Sequence, residues 1–165
     1  MAGFCTKTFT VCDDYMTPAY AWECIRKYIP TNKIIWEPFY GDGTSGKILR
    51  DLGFEIIHEK EDFFENNKGE IVISNPPFSL KKEIITRLVE LNKPFILLMP
   101  VATMYCNYVR DLIGDELQIM IPRKRIHFNK MVDGKATETN KCNFDCAYFC
   151  WHMNLPRDLI YLESL

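Results

Sequence analysis

Residues 71–78 read Ile71-Val72-Ile73-Ser74-Asn75-Pro76-Pro77-Phe78, and their reading decides the fold. Three consecutive β-branched residues make a strand that is apolar on both faces, as in a parallel sheet covered on each side rather than one half-solvated at a surface. The prolines stop it, because each fixes φ at about −65° and removes an amide donor. Beyond the stop, Ile84, Leu88 and Leu91 recur at helical spacing. The unit is therefore strand, rigid corner, helix, and the same alternation extends in both directions.

Upstream, Thr17-Pro18 opens a helix on which Trp22, Ile25 and Ile29 share a face, running to about Tyr28. Ile34-Ile35-Trp36 is a short strand, followed by the turn-rich Gly41-Asp42-Gly43-Thr44-Ser45-Gly46 and a helix carrying Ile48, Leu49 and Leu52 that Gly53 ends. A strand from Phe54 to about His58 leads into an acidic run, and a third short strand near Asp62–Phe64 is either marginal or omitted. Downstream come the strand Pro94–Met99, a helix over Tyr105–Ile113, a strand over Leu117–Ile121, a basic loop and a strand over Asp145–Trp151. Strands alternating with helices predict an α/β fold with a parallel sheet, and the late strand-loop-strand predicts an antiparallel hairpin at one edge.

A chain of 165 residues is the length of one domain, here 1–165, with 1–14 an irregular lead-in. With 47% apolar and 25% charged residues it is an ordinary globular protein rather than a disordered or fibrous one. No apolar run approaches a membrane span, and the first residues lack a secretory signal, so a cytoplasmic protein with no membrane partner is expected. Seven cysteines without a Cys-x-x-Cys pair suggest neither a disulfide framework nor a zinc ribbon. Cys142, Cys146 and Cys150, with His152 close behind, read more naturally as small hydrophobes of a buried strand than as ligands, and no metal is expected. The net charge of −2 hides an island at 122–141, where Arg123, Lys124, Arg125, Lys130, Lys135 and Lys141 face only Asp133 and Glu138. Such an island suits a phosphate-contacting edge as well as a solvated loop.

The glycine turn after Trp36 parses in three ways. Gly41, Gly43 and Gly46 form the G-x-G-x-x-G dinucleotide pattern, but the chain is short for a nicotinamide domain joined to a substrate domain. Gly41 to Lys47 fits the phosphate-loop spacing, but Ile48 stands where a hydroxyl must reach magnesium. In the third parse Glu37 sets a carboxylate beside a glycine-opened backbone, suited to a ligand with an ammonium group and an unphosphorylated sugar. Glu59, 22 residues on, is then placed for ribose hydroxyls.

The Asn75 corner carries different chemistry. Asn75 supplies an amide oxygen, the prolines leave carbonyls without competing local donors, and Phe78 offers a flat apolar face. Together these suit an exocyclic amino group on a planar ring. Asn75-Pro76-Pro77-Phe78 resembles the catalytic motif of class I S-adenosylmethionine-dependent amino-methyltransferases, above all the N6-adenine enzymes. Glu37-Pro38-Phe39-x-Gly41-x-Gly43 resembles their first cofactor motif, and Thr17-Pro18 the Thr-Pro that precedes it.

That resemblance implies a Rossmann-like sheet of seven mostly parallel strands, helices on both faces and an antiparallel last strand. It implies S-adenosylmethionine as cofactor, with Glu59 on the ribose and Asp62-Phe63 on its adenine. It also implies methyl transfer to the amino group of an unpaired or flipped adenine, in DNA before RNA, with Asn75 and Pro76 accepting its hydrogens, Pro77 stiffening the corner and Phe78 stacking on the base. Arg123, Lys124, Arg125 and Lys130 would then contact phosphates, and Phe128 would either wedge into the substrate or sit in the core. The rival readings are an RNA enzyme, a protein glutamine methyltransferase and a non-catalytic nucleic-acid-binding subunit. Because the catalytic core fills the chain, selectivity is expected from the basic segment, from substrate structure, or from a partner subunit or second copy.

Overall fold

The structure, a computed structural model, describes residues 15–132, 135–138 and 144–163, with the side chains of 131, 132 and 135–138 excepted. The lead-in 1–14, Lys141 and Cys142 lie outside the described residues. In chain order the elements are β1 (Tyr15–Met16), α1 (Ala19–Glu23), β2 (Ile35–Trp36), α2 (Thr44–Asp51), β3 (Ile56–Ile57), β4 (Ile71–Ser74), α3 (Lys81–Glu90) and β5 (Phe95–Pro100). They continue with α4 (Asn107–Ile113), β6 (Gln118–Ile121), β7 (Asn129–Val132), β8 (Lys135–Glu138), β9 (Cys146–Trp151) and β10 (Leu159–Tyr161).

Seven strands form one open sheet in the order β10-β6-β9-β5-β4-β2-β3, parallel except for β9, which runs antiparallel to both β5 and β6. The period of two along each strand divides its side chains between two cores. Ile35, Ile71, Ile73, Ile96, Leu98, Tyr148 and Cys150 face Ala21, Trp22, Ile25 and Leu49 of the α1–α2 layer. Trp36, Val72, Phe95, Leu97, Phe149 and Trp151 face Ile84, Ile85, Leu88, Val109 and Ile113 of the α3–α4 layer. This is a Rossmann-like three-layer α/β fold, and no described helix is long and apolar enough to cross a membrane.

Three details differ from the sequence expectation. Pro18 itself takes the cap position of α1, so the Thr17 hydroxyl caps nothing. The α-helix ends at Glu23, because the Tyr148 hydroxyl and Cys24 Sγ (3.3 Å) donate to the Ala21 carbonyl. Ile25 N then turns to Trp22 O at 3.3 Å, and a 3-10 turn carries the chain on. The antiparallel strand is wedged between β5 and β6 rather than set at the edge, and β10 follows it as the edge strand, parallel to β6. Of the two readings at Asp62–Phe64 the omitted strand is the one found, with Asp62 Oδ1 accepting Phe64 N at 2.7 Å in a tight turn.

The basic segment is also more than a loop. Its centre folds as the β7–β8 hairpin, and β7 pairs antiparallel with β1 (Tyr15↔Lys130, Met16↔Asn129) in a separate three-stranded sheet.

Candidate functional site

In the seven-stranded sheet β2 lies between β3 and β4, so the chain moves from β2 outward to β3 and returns past it to β4. Ligands of open α/β sheets bind outside the carboxyl ends of strands at such a reversal. A cavity of about 310 Å³ opens there, within the range of small-molecule sites. Three walls close it: Glu37–Asp42 with Ser45 after β2, Asn75 and Pro77 after β4, and Tyr15–Thr17 from the small sheet, with Glu61 at the rim.

The turn after β2 is built by hydrogen bonds that its sequence makes available. Glu37 N continues the ladder to Ile57 O at 3.0 Å, Gly43 N closes on Tyr40 O at 2.8 Å, and Asp42 Oδ1 accepts Thr44 N at 2.9 Å where α2 begins. Gly43 caps that helix at φ 85°, a left-handed conformation natural to glycine, and an added Cβ would also meet the Tyr40 hydroxyl at 2.9 Å. At Gly46 a Cβ would fall 2.2 Å from the His58 ring, so the helix can lie this close to the sheet only without a side chain there. His58 stacks on Tyr40 with ring centroids 4.7 Å apart, and its Nδ1 meets Glu37 O at 2.8 Å.

Glu37 is the electrostatic centre of the wall. Its side chain is 1% exposed, and Oε1 accepts Ser74 Oγ at 2.5 Å and Phe39 N at 3.1 Å. Burial pushes its carboxyl up to about 8 against the pull of those two donors, so at neutral pH it holds a proton. A cationic ligand group beside it would favour the ionised form.

Two further polar atoms await a partner. Thr17 and Asn75 line the cavity, and their Oγ1 and Oδ1 atoms are buried with no hydrogen-bond partner among the described residues. Buried polar atoms are nearly always satisfied, so a pair of such atoms on one cavity marks where a polar ligand completes the site. The other amide atom of Asn75, Nδ2, donates to Tyr15 O at 3.1 Å.

The structure thus brings Thr17, Glu37, Pro38, Phe39, Gly41, Asn75 and Pro77 onto one cavity. Pro76 is buried next to them. Pro18 and Gly43 shape the walls as helix caps without lining the cavity. Phe63 lies behind the wall, 5.4 Å from Trp36 and 5.1 Å from Phe39 between ring centroids, and Asp62 is spent on its turn. Glu59 points away to Lys68 at 2.7 Å; its neighbour Glu61, tied to the same lysine at 2.6 Å, is the acid that reaches the cavity.

Phe78 is half-buried among aromatic rings rather than on the cavity wall. Phe128 is fully buried, which makes it a core residue and not an external wedge. Arg125 forks onto Asp145 at 2.6 and 3.1 Å, whereas Arg123 and Lys124 are exposed on the segment leaving β6 and Lys130 is half-buried in β7. The contributions of Tyr15, Met16, Tyr40, Asp42, Ser45 and Glu61 went unanticipated. Only the acidic run at 59–62 carried a signal, and it was ambiguous by two residues.

No family model matches the chain, and no relative is found among curated proteins. A solved structure, the precorrin-6y C5,15-methyltransferase of Geobacter metallireducens, aligns over 86% of this chain and 94% of that one, at 9% identity and a TM-score of 0.44. That likeness is too distant to bear on the reaction.

Proposed function

We propose that this chain is an S-adenosylmethionine-dependent methyltransferase acting on the exocyclic N6 amino group of an unpaired or flipped adenine in DNA. The observation that carries the reading is the buried Asn75 Oδ1, without a hydrogen-bond partner among the described residues, at the proline corner after β4 that lines one cavity with the glycine turn after β2. The residues fit the cofactor: Glu37 supplies an acid for an ammonium group, Thr17 Oγ1 an unpaired hydroxyl, and Gly41 a side-chain-free approach to the backbone.

When bound, S-adenosylmethionine supplies an electrophilic sulfonium methyl. The chain's own work is positioning and charge stabilisation. Asn75 Oδ1 and the Pro76 carbonyl accept the two hydrogens of the target amino group, which draws its nitrogen toward tetrahedral geometry and frees the lone pair. Two prolines hold these acceptors rigid, so little order is lost when the base arrives. Nitrogen carries positive charge as the new bond forms, and both acceptors stabilise it. No strong base is required, because the surplus proton can leave after attack. Arg123 and Lys124 are exposed beyond the carboxyl end of β6, and two accessible cations there support a nucleic-acid substrate over a protein side chain.

The test has two parts. Calorimetry should show S-adenosylmethionine binding to the folded chain, and tritiated methyl should pass to single-stranded DNA and appear as N6-methyladenine. Asn75→Ala should keep most of the cofactor affinity and lose about 10³-fold in turnover. Absence of cofactor binding, or label found only on RNA or protein, would overturn the corresponding part of the reading.

A further inference from the structure

We propose that the small three-stranded sheet is a positioning device for Asn75: β1, clasped by the basic hairpin, fixes which atom of the Asn75 amide is left free to accept. The proposal deepens the reading above, since it names what orients the amino-group acceptor.

An asparagine amide presents an acceptor and a double donor that differ little in shape, and half a turn about its last bond exchanges them. For Asn75 the choice is made by Tyr15 O, 3.1 Å from Nδ2. A carbonyl oxygen only accepts, so the NH₂ must lie toward β1, which leaves Oδ1 on the other side of the amide, buried and without a hydrogen-bond partner among the described residues. The orientation is therefore only as fixed as the position of the Tyr15 carbonyl.

That carbonyl belongs to a strand of two residues, too short to hold itself. Two features of the basic segment hold it. The first is backbone pairing, Tyr15↔Lys130 and Met16↔Asn129. The second is a ring cluster from both stems of the hairpin. Phe128, just before β7, lies 5.9 Å from Tyr15, and Phe144, after β8, lies edge-on to Tyr15 at 6.0 Å. Phe144 is also edge-on to Phe78 at 5.5 Å, and the two stem rings meet at 6.2 Å. Tilted and edge-on ring pairs of this kind attract beyond their buried area. The stems thus grip β1 and the proline corner together, and the segment that carries the basic residues is mechanically tied to the amide that does the chemistry.

Phe144 is the residue to remove, since it is half-buried and neither lines the cavity nor takes part in the reaction. In Phe144→Leu the side-chain amide signals of Asn75, assigned in ¹⁵N-asparagine-labelled protein by their loss in Asn75→Asp, should broaden or move upfield as the bond to Tyr15 loosens. Backbone signals of β4 should stay in place. Turnover should fall about 10-fold with little change in KM for either substrate, and Phe144→Tyr, which restores the ring, should recover both readouts.

Unchanged Asn75 amide signals in Phe144→Leu overturn the proposal, whatever happens to turnover. If that variant fails to melt cooperatively, Phe144→Met, whose flexible unbranched side chain fills irregular gaps but lacks the ring, decides by the same signals. The amide readout needs no catalysis, so an inactive wild-type chain would count against the proposed reaction alone, leaving the positioning role to be judged by the spectrum.

Discussion

The two sheets of this protein are built on opposite plans. In the seven-stranded sheet, β4, β5 and β9 carry side chains buried on both faces and between two helical layers. In the three-stranded sheet, β1 is two residues long, and the other two strands, Asn129–Val132 and Lys135–Glu138, are together rich in polar and charged residues. The cavity lies where the two meet, with Glu37 and Asn75 from one side and Tyr15, Met16 and Thr17 from the other. The large sheet supplies the free energy of folding, and the small one adds geometry at the place where a ligand fits. Substitutions should accordingly separate stability from binding according to the sheet they fall in.

The largest stability effect is expected at the large sheet's closest contact. Gly46→Ala drives a methyl group into the His58 ring, and it should cost about 3 kcal/mol or more in a denaturant melt. Adding His58→Ala should return part of that loss, a coupling that separate sites would not show. Next, Ile73→Ala in β4 should cost about 2–5 kcal/mol. Met16→Ala, in β1, should cost less than about 1 kcal/mol while weakening S-adenosylmethionine binding by calorimetry. Equal destabilisation by these two changes would break the division of labour.

A smaller effect depends on pH. Glu37 titrates at about 8 in the folded chain against 4.5 for an ordinary glutamate. Between these values the folded protein keeps a proton that the unfolded chain has lost. Its contribution is thus fully present below about 4.5 and is lost as pH rises through about 8. His58, held below its ordinary value by burial, pulls the opposite way near pH 6.5. The readout is therefore a difference: between pH 5 and 8.5 the melting temperature of the wild type should fall relative to that of Glu37→Gln. Parallel curves would mean that Glu37 is ionised when folded.

The smallest effect belongs to the surface. Arg123→Ala and Lys124→Ala should leave the melt unchanged and each lower the slope of log K for single-stranded DNA against log salt by about 0.7, the value for one phosphate contact on a single strand. An unaltered slope would remove these two residues from the substrate path.

Where the sequence was legible, one physical rule was at work over several residues. Ile71–Ile73 and Phe95–Met99 announced buried strands, because β-branched and aromatic residues in unbroken runs have no solvated face to offer. Gly53 announced a helix end, and the proline corner announced rigid acceptors. The small sheet was not legible: β1 is too short to show a period, and β7 puts two polar residues before two apolar ones, with no alternation to mark a strand. Thr17 looked like a helix cap, since its hydroxyl suits that role, yet Pro18 took the position and freed the hydroxyl for the cavity. Glu59 and Glu61 were indistinguishable by chemistry, and the course of the loop around Lys68, a long-range matter, decided which one reached the rim.

The placement of β9 between β5 and β6 also governs the order in which the molecule can be made. Until residue 146 has been synthesised, β5 and β6 have no shared neighbour, and each presents an open row of backbone donors and acceptors. A nascent chain stopped short of that point has an incomplete sheet with two unpaired apolar edges, a form prone to association with other chains. Completion waits for a strand about 50 residues downstream of β5 in sequence, a long loop to close and a source of slow folding. The late strand that seals the centre of the sheet is therefore also the step that ends the chain's exposure to aggregation during synthesis.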